Sequence, residues 1–199
     1  MTTRAVAQML VRGDFDNDLI RFTHSEGERA THIAIEAQKT LTNFDTELFI
    51  ELAVPLEGTL YPETYRIPKD FTATELVDLM AKTYSEKTAD LSEKMSNHPL
   101  GQKGVLTLAS IIEREANTVD SMKMVSGILQ GRMEAGMPLQ ADASIEYVLD
   151  KPLKELASED LKVDSPYNTY LNRGLPPTPI GNPGRDAIMA VLEPTESDY

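Results

Sequence analysis

Apolar residues recur at helical spacing along much of the chain. Ile33, Ala34, Ala37 and Leu41 share one stripe and predict a helix over Glu28–Leu41. Before it, Ala5–Val11 reads as a helix end closed by Gly13, and Leu19–Phe22 as a short strand. Thr72 followed by Glu75 forms a capping box, so a long helix should run from there to about Met95. Asn97, Pro99 and Gly101 then break the chain. From Gln102 the pattern is strongest: Leu106, Leu108, Ala109, Ile111 and Ile112 predict an apolar helix reaching about Ala116. The next helix, with Asp120 as its expected cap and Val125, Ile128 and Leu129 turned inward, stops at Gly136. Asp142 is the expected cap of a third, short helix carrying Ile145 and Val148. A last helix is expected over Arg185–Leu192.

Two stretches lack this periodicity. Glu57–Pro68, rich in Gly and Pro around Tyr61 and Tyr65, reads as a folded loop or turn. Val163–Gly184 is a long Pro/Gly-rich loop, and a loop of about twenty residues is uncommon in a compact domain unless it is functional. Tyr167, Asn168, Thr169 and Tyr170 within it suit recognition of a polar, ring-shaped ligand. A loop that only covers the core is the equal alternative.

Composition narrows the function classes. An apolar share of 41% and a charged share of 26% are ordinary for a soluble globular chain, and 199 residues suffice for a real core. A net charge of −13 repels nucleic-acid phosphates and anionic lipid, so no nucleic-acid partner is expected. The absence of cysteine excludes disulfides, thiolate metal sites and cysteine nucleophiles. His24, His32 and His98 are scattered without ligand spacing, so no metal or cofactor is expected. No run approaches the roughly eighteen apolar residues that a membrane span needs, and no signal-peptide core opens the chain.

Candidate chemistry lies in Ser110–Glu115. On a helix Glu113 and Glu115 are about 200° apart and cannot converge on one bond. Glu115 lies over Ile111 and Ile112, whereas Glu113 lies over Ala109 and Ser110. Apolar surroundings raise a carboxyl pKa, as a general acid near neutral pH requires, so Glu115 is the better candidate acid. Glu113 is the better candidate for an internal ion pair or hydrogen bond, with Arg132 as a partner. Two solvated surface glutamates would give the same sequence.

Several motifs together carry a resemblance. Leu108–Ala116 (LASIIEREA), Gly136–Asp142 (GMPLQAD), Ser165–Tyr170 (SPYNTY), Gly174–Pro177 (GLPP) and Ile180–Gly184 (IGNPG) follow one another in the order and spacing of the endolytic murein transglycosylase, or YceG-like, family. Leu56–Tyr65 is similar to the segment that opens that family's catalytic region. The resemblance implies an α+β fold: a mainly helical, lysozyme-like catalytic core over 56–199 and a small α/β, LysM-like portion over 1–55. It implies cleavage of the β-1,4 bond between N-acetylmuramic acid and N-acetylglucosamine without water, giving a 1,6-anhydro end. One glutamic acid serves as acid and then base, and its place in the family motif falls on Glu115. Asp142 is then a helix cap, or a contact to sugar or to Gln140. Tyr147 is core or cleft wall, and Tyr167, Asn168, Thr169 and Tyr170 line the cleft. Glu113 and Arg132 give structural support.

Peptidoglycan glycan strands are the implied partner, with cell-wall synthases as a further class. The implied location is the extracytoplasmic face of the bacterial cytoplasmic membrane. The membrane would be reached only through an N-terminal helix that this chain lacks, and a C-terminal tail is expected beyond Tyr199. Gly131–Arg132 and Asp142–Ala–Ser144 depart from the family pattern, which keeps an inactive peptidoglycan-binding or scaffold module as the alternative.

Overall fold

The computed structural model describes residues 19–196, so the helix end expected at Ala5–Val11 lies outside the described residues. β1 (Leu19–His24) and β2 (Glu63–Pro68) pair antiparallel, with Leu19 opposite Pro68 and His24 opposite Glu63. The second half of the expected loop at Glu57–Pro68 is therefore a strand. Tyr65 and Ile67 face inward and Arg66 outward, an alternation too short to stand out beside Pro62 and Pro68. Between the strands lie α1 (Ala30–Thr40) and α2 (Thr46–Ala53). The α1 stripe of Ile33, Ala34 and Ala37 is buried as its spacing predicts. The second helix, absent from the sequence reading, starts at Asp45, whose carboxylate accepts from Leu48 N at 3.0 Å.

α3 (Ala73–Lys87) follows, with its capping box in place: Glu75 accepts from Thr72 N at 2.9 Å, and Thr72 accepts from Glu75 N at 3.3 Å. It stops at Lys87 rather than near Met95. Thr88 is buried there, its hydroxyl donating to Tyr84 O at 2.8 Å, and the chain turns into the short α4 (Ser92–Asn97). Phe22, Ile33, Phe49, Leu60, Ile67, Leu76 and Met80 form one core beneath this ribbon and its helices. The division expected near residue 55 falls inside this core.

A second core is built around α5 (Gly101–Glu115), in which every residue from Val105 to Ile112 is buried. A helix covered all round is the centre of its domain. It is packed by α6 (Val119–Glu134), α7 (Asp142–Leu149) and α8 (Arg185–Leu192). Thr118, not Asp120, caps α6 and accepts from Ser121 N at 3.2 Å. Its deepest residues are Met122, Ser126 and Leu129, while Val125 and Ile128 are half-buried. α7 likewise has Ala141 at its cap position and no side-chain cap bond, so Asp142 is freed for another contact. The fold is α+β, with one two-stranded sheet among the described residues. No helix among them is long and apolar enough to cross a membrane.

Asn182 joins the two cores. Its Oδ1 accepts from Gly58 N at 2.8 Å and Leu60 N at 3.0 Å, and its Nδ2 donates to Glu28 O and Glu57 Oε1, both at 2.9 Å. Gly181 beside it has no room for a side chain, since a Cβ would stand 2.5 Å from Gly27 O.

Candidate active site

α5 ends at Glu115, where the buried run gives way to solvent, so the side chain is exposed while its carboxyl turns onto the start of α7. Oε1 accepts from Ala143 N at 3.3 Å. The helix lacking a cap of its own thus borrows one from another helix. Crowding by protein raises the Glu115 pKa, and the charges of Asp142 and Glu146 add to the rise. The Ala143 bond and the Arg114 charge oppose it. A carboxyl so placed holds its proton more tightly than an ordinary glutamate and remains open to a ligand.

Asp142 stands beside it and accepts a short hydrogen bond from the Tyr170 hydroxyl. Burial and the Asp142 and Glu115 charges push the Tyr170 phenol up to about 12, so it stays a donor. Glu115, Asp142 and Tyr170 are therefore one cluster, drawn from α5, α7 and the long loop.

Two of the other loop candidates, Asn168 and Thr169, turn their polar groups inward. Asn168 is 0% exposed: it donates to Leu161 O and Val163 O at 3.0 and 2.7 Å and accepts from Tyr170 N at 2.9 Å. Thr169, also buried, accepts from Ala141 N at 3.0 Å, and its backbone O accepts from Gln140 N at 3.0 Å. Ser144, part of one of the departures from the family pattern, bonds the Thr169 hydroxyl at 2.9 Å. These three shape the loop so that Tyr170 projects.

Gln140 is exposed and holds φ 56, a left-handed conformation costly for a residue with a side chain. Arg132 supports it by donating to Leu139 O at 2.7 Å and to Gln140 Oε1 at 3.4 Å. Neither the expected contact of Asp142 with Gln140 nor that of Arg132 with Glu113 forms: Asp142 is held by Tyr170, and Arg132 is engaged at the 139–140 turn. Glu113 instead accepts from Gly184 N at 2.8 Å and faces an open cavity of about 360 Å³ shared with Glu26 and Asp186. Burial, reinforced by those two acids, lifts its pKa to about 7.

Tyr147 and Tyr167 stack with ring centroids 4.9 Å apart, and the Tyr167 hydroxyl bonds Thr178 at 2.7 Å. Both rings are half-buried and packed against the second core. His24 is buried between Glu28 and Leu60 O, and no group of three metal-ligating residues occurs among the described residues.

Comparison with known proteins decides the family, since the YceG-like family matches residues 1–199. The chain belongs to the YceG-like family. It is 35% identical over 146 residues to the endolytic murein transglycosylase of Bacillus subtilis (strain 168), covering 73% of this chain and 41% of that protein. Against the endolytic murein transglycosylase of Streptococcus pneumoniae serotype 2 it is 34% identical over 148 residues, covering 72% and 27%. The chain thus spans well under half the length of these YceG-like relatives. A crystal structure of a YceG-like protein from Listeria monocytogenes superposes with a TM-score of 0.77 at 30% identity, covering all of this chain and 74% of that one. The family resemblance drawn from the five motifs is correct.

Proposed function

We propose that this chain cleaves the β-1,4 bond between N-acetylmuramic acid and N-acetylglucosamine within peptidoglycan strands, as an endolytic lytic transglycosylase acting outside the cytoplasmic membrane. The observation that carries this reading is the placement of Glu115, its pKa raised, at an exposed helix end beside Asp142 and Tyr170. Glu115 gives its proton to the glycosidic oxygen as the C1–O bond breaks, and the N-acetylglucosamine side leaves as an alcohol. The Glu115 carboxylate then takes the proton of the muramyl C6 hydroxyl while O6 bonds to C1. A 1,6-anhydro end forms, the proton returns to Glu115, and no water is consumed.

A two-carboxylate hydrolase needs a second acid free to act on water or on C1. The neighbouring candidate, Asp142, is engaged by the Tyr170 hydroxyl, which suits a positioning role better. Gln140 and Tyr170 are the side chains placed to meet sugar. Asn168 and Thr169 act by holding the loop.

Mass spectrometry of glycan strands incubated with the chain tests the reaction. Products ending in anhydro-muramic acid support it. Reducing ends, heavier by one water, would make the chain a hydrolase, and strands bound but uncut would make it a scaffold.

A further inference from the structure

Arg29 is the N-cap residue of α1, so by chain position it belongs to the N-terminal unit. Its guanidinium nevertheless grips the far end of α7. Nη2 donates to Glu146 O at 2.9 Å, and Nη1 donates to Tyr147 O at 3.3 Å and Asp150 Oδ1 at 3.1 Å. The group also lies over the Tyr147 ring, 4.9 Å from its centroid, and the side chain is only 13% exposed. Glu146 and Tyr147 sit in the last turn of α7, where carbonyls lack helical partners and the helix dipole favours a cation. The N-terminal turn of the same helix presents the Ala143 amide that holds Glu115. Eight residues make a rod of about 12 Å, too short to bend, so fixing one end fixes the other.

We propose that Arg29 is a positioning residue for the reaction: it clamps the C-terminal turn of α7 and thereby holds the Ala143 amide against the Glu115 carboxyl. This rests on reading Glu115 as the acid. Arg114 assists from α5 by gripping the Glu146 carboxylate, with one nitrogen 2.7 Å from each oxygen, but it binds no carbonyl of α7 in doing so. The pair His32–Asp150, at 3.5 Å, lies on the solvent side of the clamp. Lysine could supply the charge at position 29 but not the flat fork that reaches several acceptors while stacked on an aromatic ring.

The charged and titratable groups facing Glu115 are Arg114 on its own helix, Asp142 and Glu146 on α7, and Tyr170 from the loop. None is altered by substituting Arg29. Release of α7 loosens the Ala143 bond but also withdraws crowding, the largest cause of the raised Glu115 pKa, and the Asp142 and Glu146 charges, so the Glu115 midpoint falls. Side-chain carboxyl NMR on the whole chain reads this directly, with the Glu115 signal assigned by its loss in Glu115→Gln. In Arg29→Ala the midpoint should fall toward the ordinary carboxyl value by up to about one pH unit, and in Arg29→Lys by less. Cleavage of glycan strands should fall about tenfold in kcat with KM little changed, its basic limb moving with the midpoint.

An unchanged Glu115 midpoint in the folded variants, with activity lost only in step with thermal stability, would overturn the clamp. If Arg29→Ala does not fold, Arg29→Lys alone decides by the same criterion. The NMR midpoint does not depend on cleavage, so an inactive parent would refute the proposed reaction and leave the clamp tested separately.

Discussion

At the scale of single residues, the proposed chemistry rests on how Glu115, Asp142 and Tyr170 meet. The Tyr170 hydroxyl, pushed up to about 12, holds the Asp142 carboxylate in place next to the proposed acid. Tyr170→Phe should lower kcat on glycan strands about tenfold while leaving the melting temperature nearly unchanged, the loss expected for one positioning hydrogen bond. Full activity in that variant would remove the pair from the mechanism. The place of Glu115 at the end of a buried helical run, turned away from Glu113, was legible from helical geometry, while its proposed role came from the family resemblance. Its partner was not legible: Ala143 donates from the backbone, and a backbone amide leaves no mark in a sequence. Asn168 and Thr169 stood out as polar residues in a long loop, but the sequence did not show that their polar groups turn inward. Arg29 left no signal, since two of its acceptors are carbonyls more than a hundred positions away.

At the scale of elements, caps and crossings decide where helices begin and how the units join. The capping box of α3 was legible because both of its partners are local, and Thr72→Ala should cost about 1 kcal/mol in denaturant unfolding. No change in midpoint would mean that packing alone fixes the helix start. β2 was hidden because its alternation over five residues between prolines resembles a turn, and its identity comes from pairing with β1 far upstream. Asn182 belongs to the same class of non-local effect. Asn182→Ala would strand Gly58 N and Leu60 N without their buried acceptor, at a cost of roughly 2–4 kcal/mol. Chemical denaturation of the variant checks this, and a cost below about 1 kcal/mol would mean that water replaces the amide.

At the scale of the molecule, one buried carboxyl at the junction links stability to pH. Glu57 accepts from Ala30 N and Asn182 Nδ2, both at 2.9 Å, and burial lifts its pKa to about 7. The folded state therefore holds this proton more tightly than the unfolded chain. Its contribution is complete below the unfolded pKa near 4.5 and is lost as pH rises through about 7. The loss amounts to about 3 kcal/mol. Glu57→Gln keeps an oxygen for both donors and removes the titration, so it should melt higher than the parent at pH 8 and gain less at pH 5. An equal difference at both pH values would refute the linkage. The two cores were legible as runs of apolar helices, but not their boundary, because the first core draws on residues from both sides of position 55. The central claim, a single acid working without water, is tested most directly by incubating glycan strands with the parent chain and with Glu115→Gln, and weighing the products. Anhydro-muramyl ends from the parent, absent from the variant, are the predicted result. Anhydro ends from both proteins, or reducing ends from the parent, would contradict it.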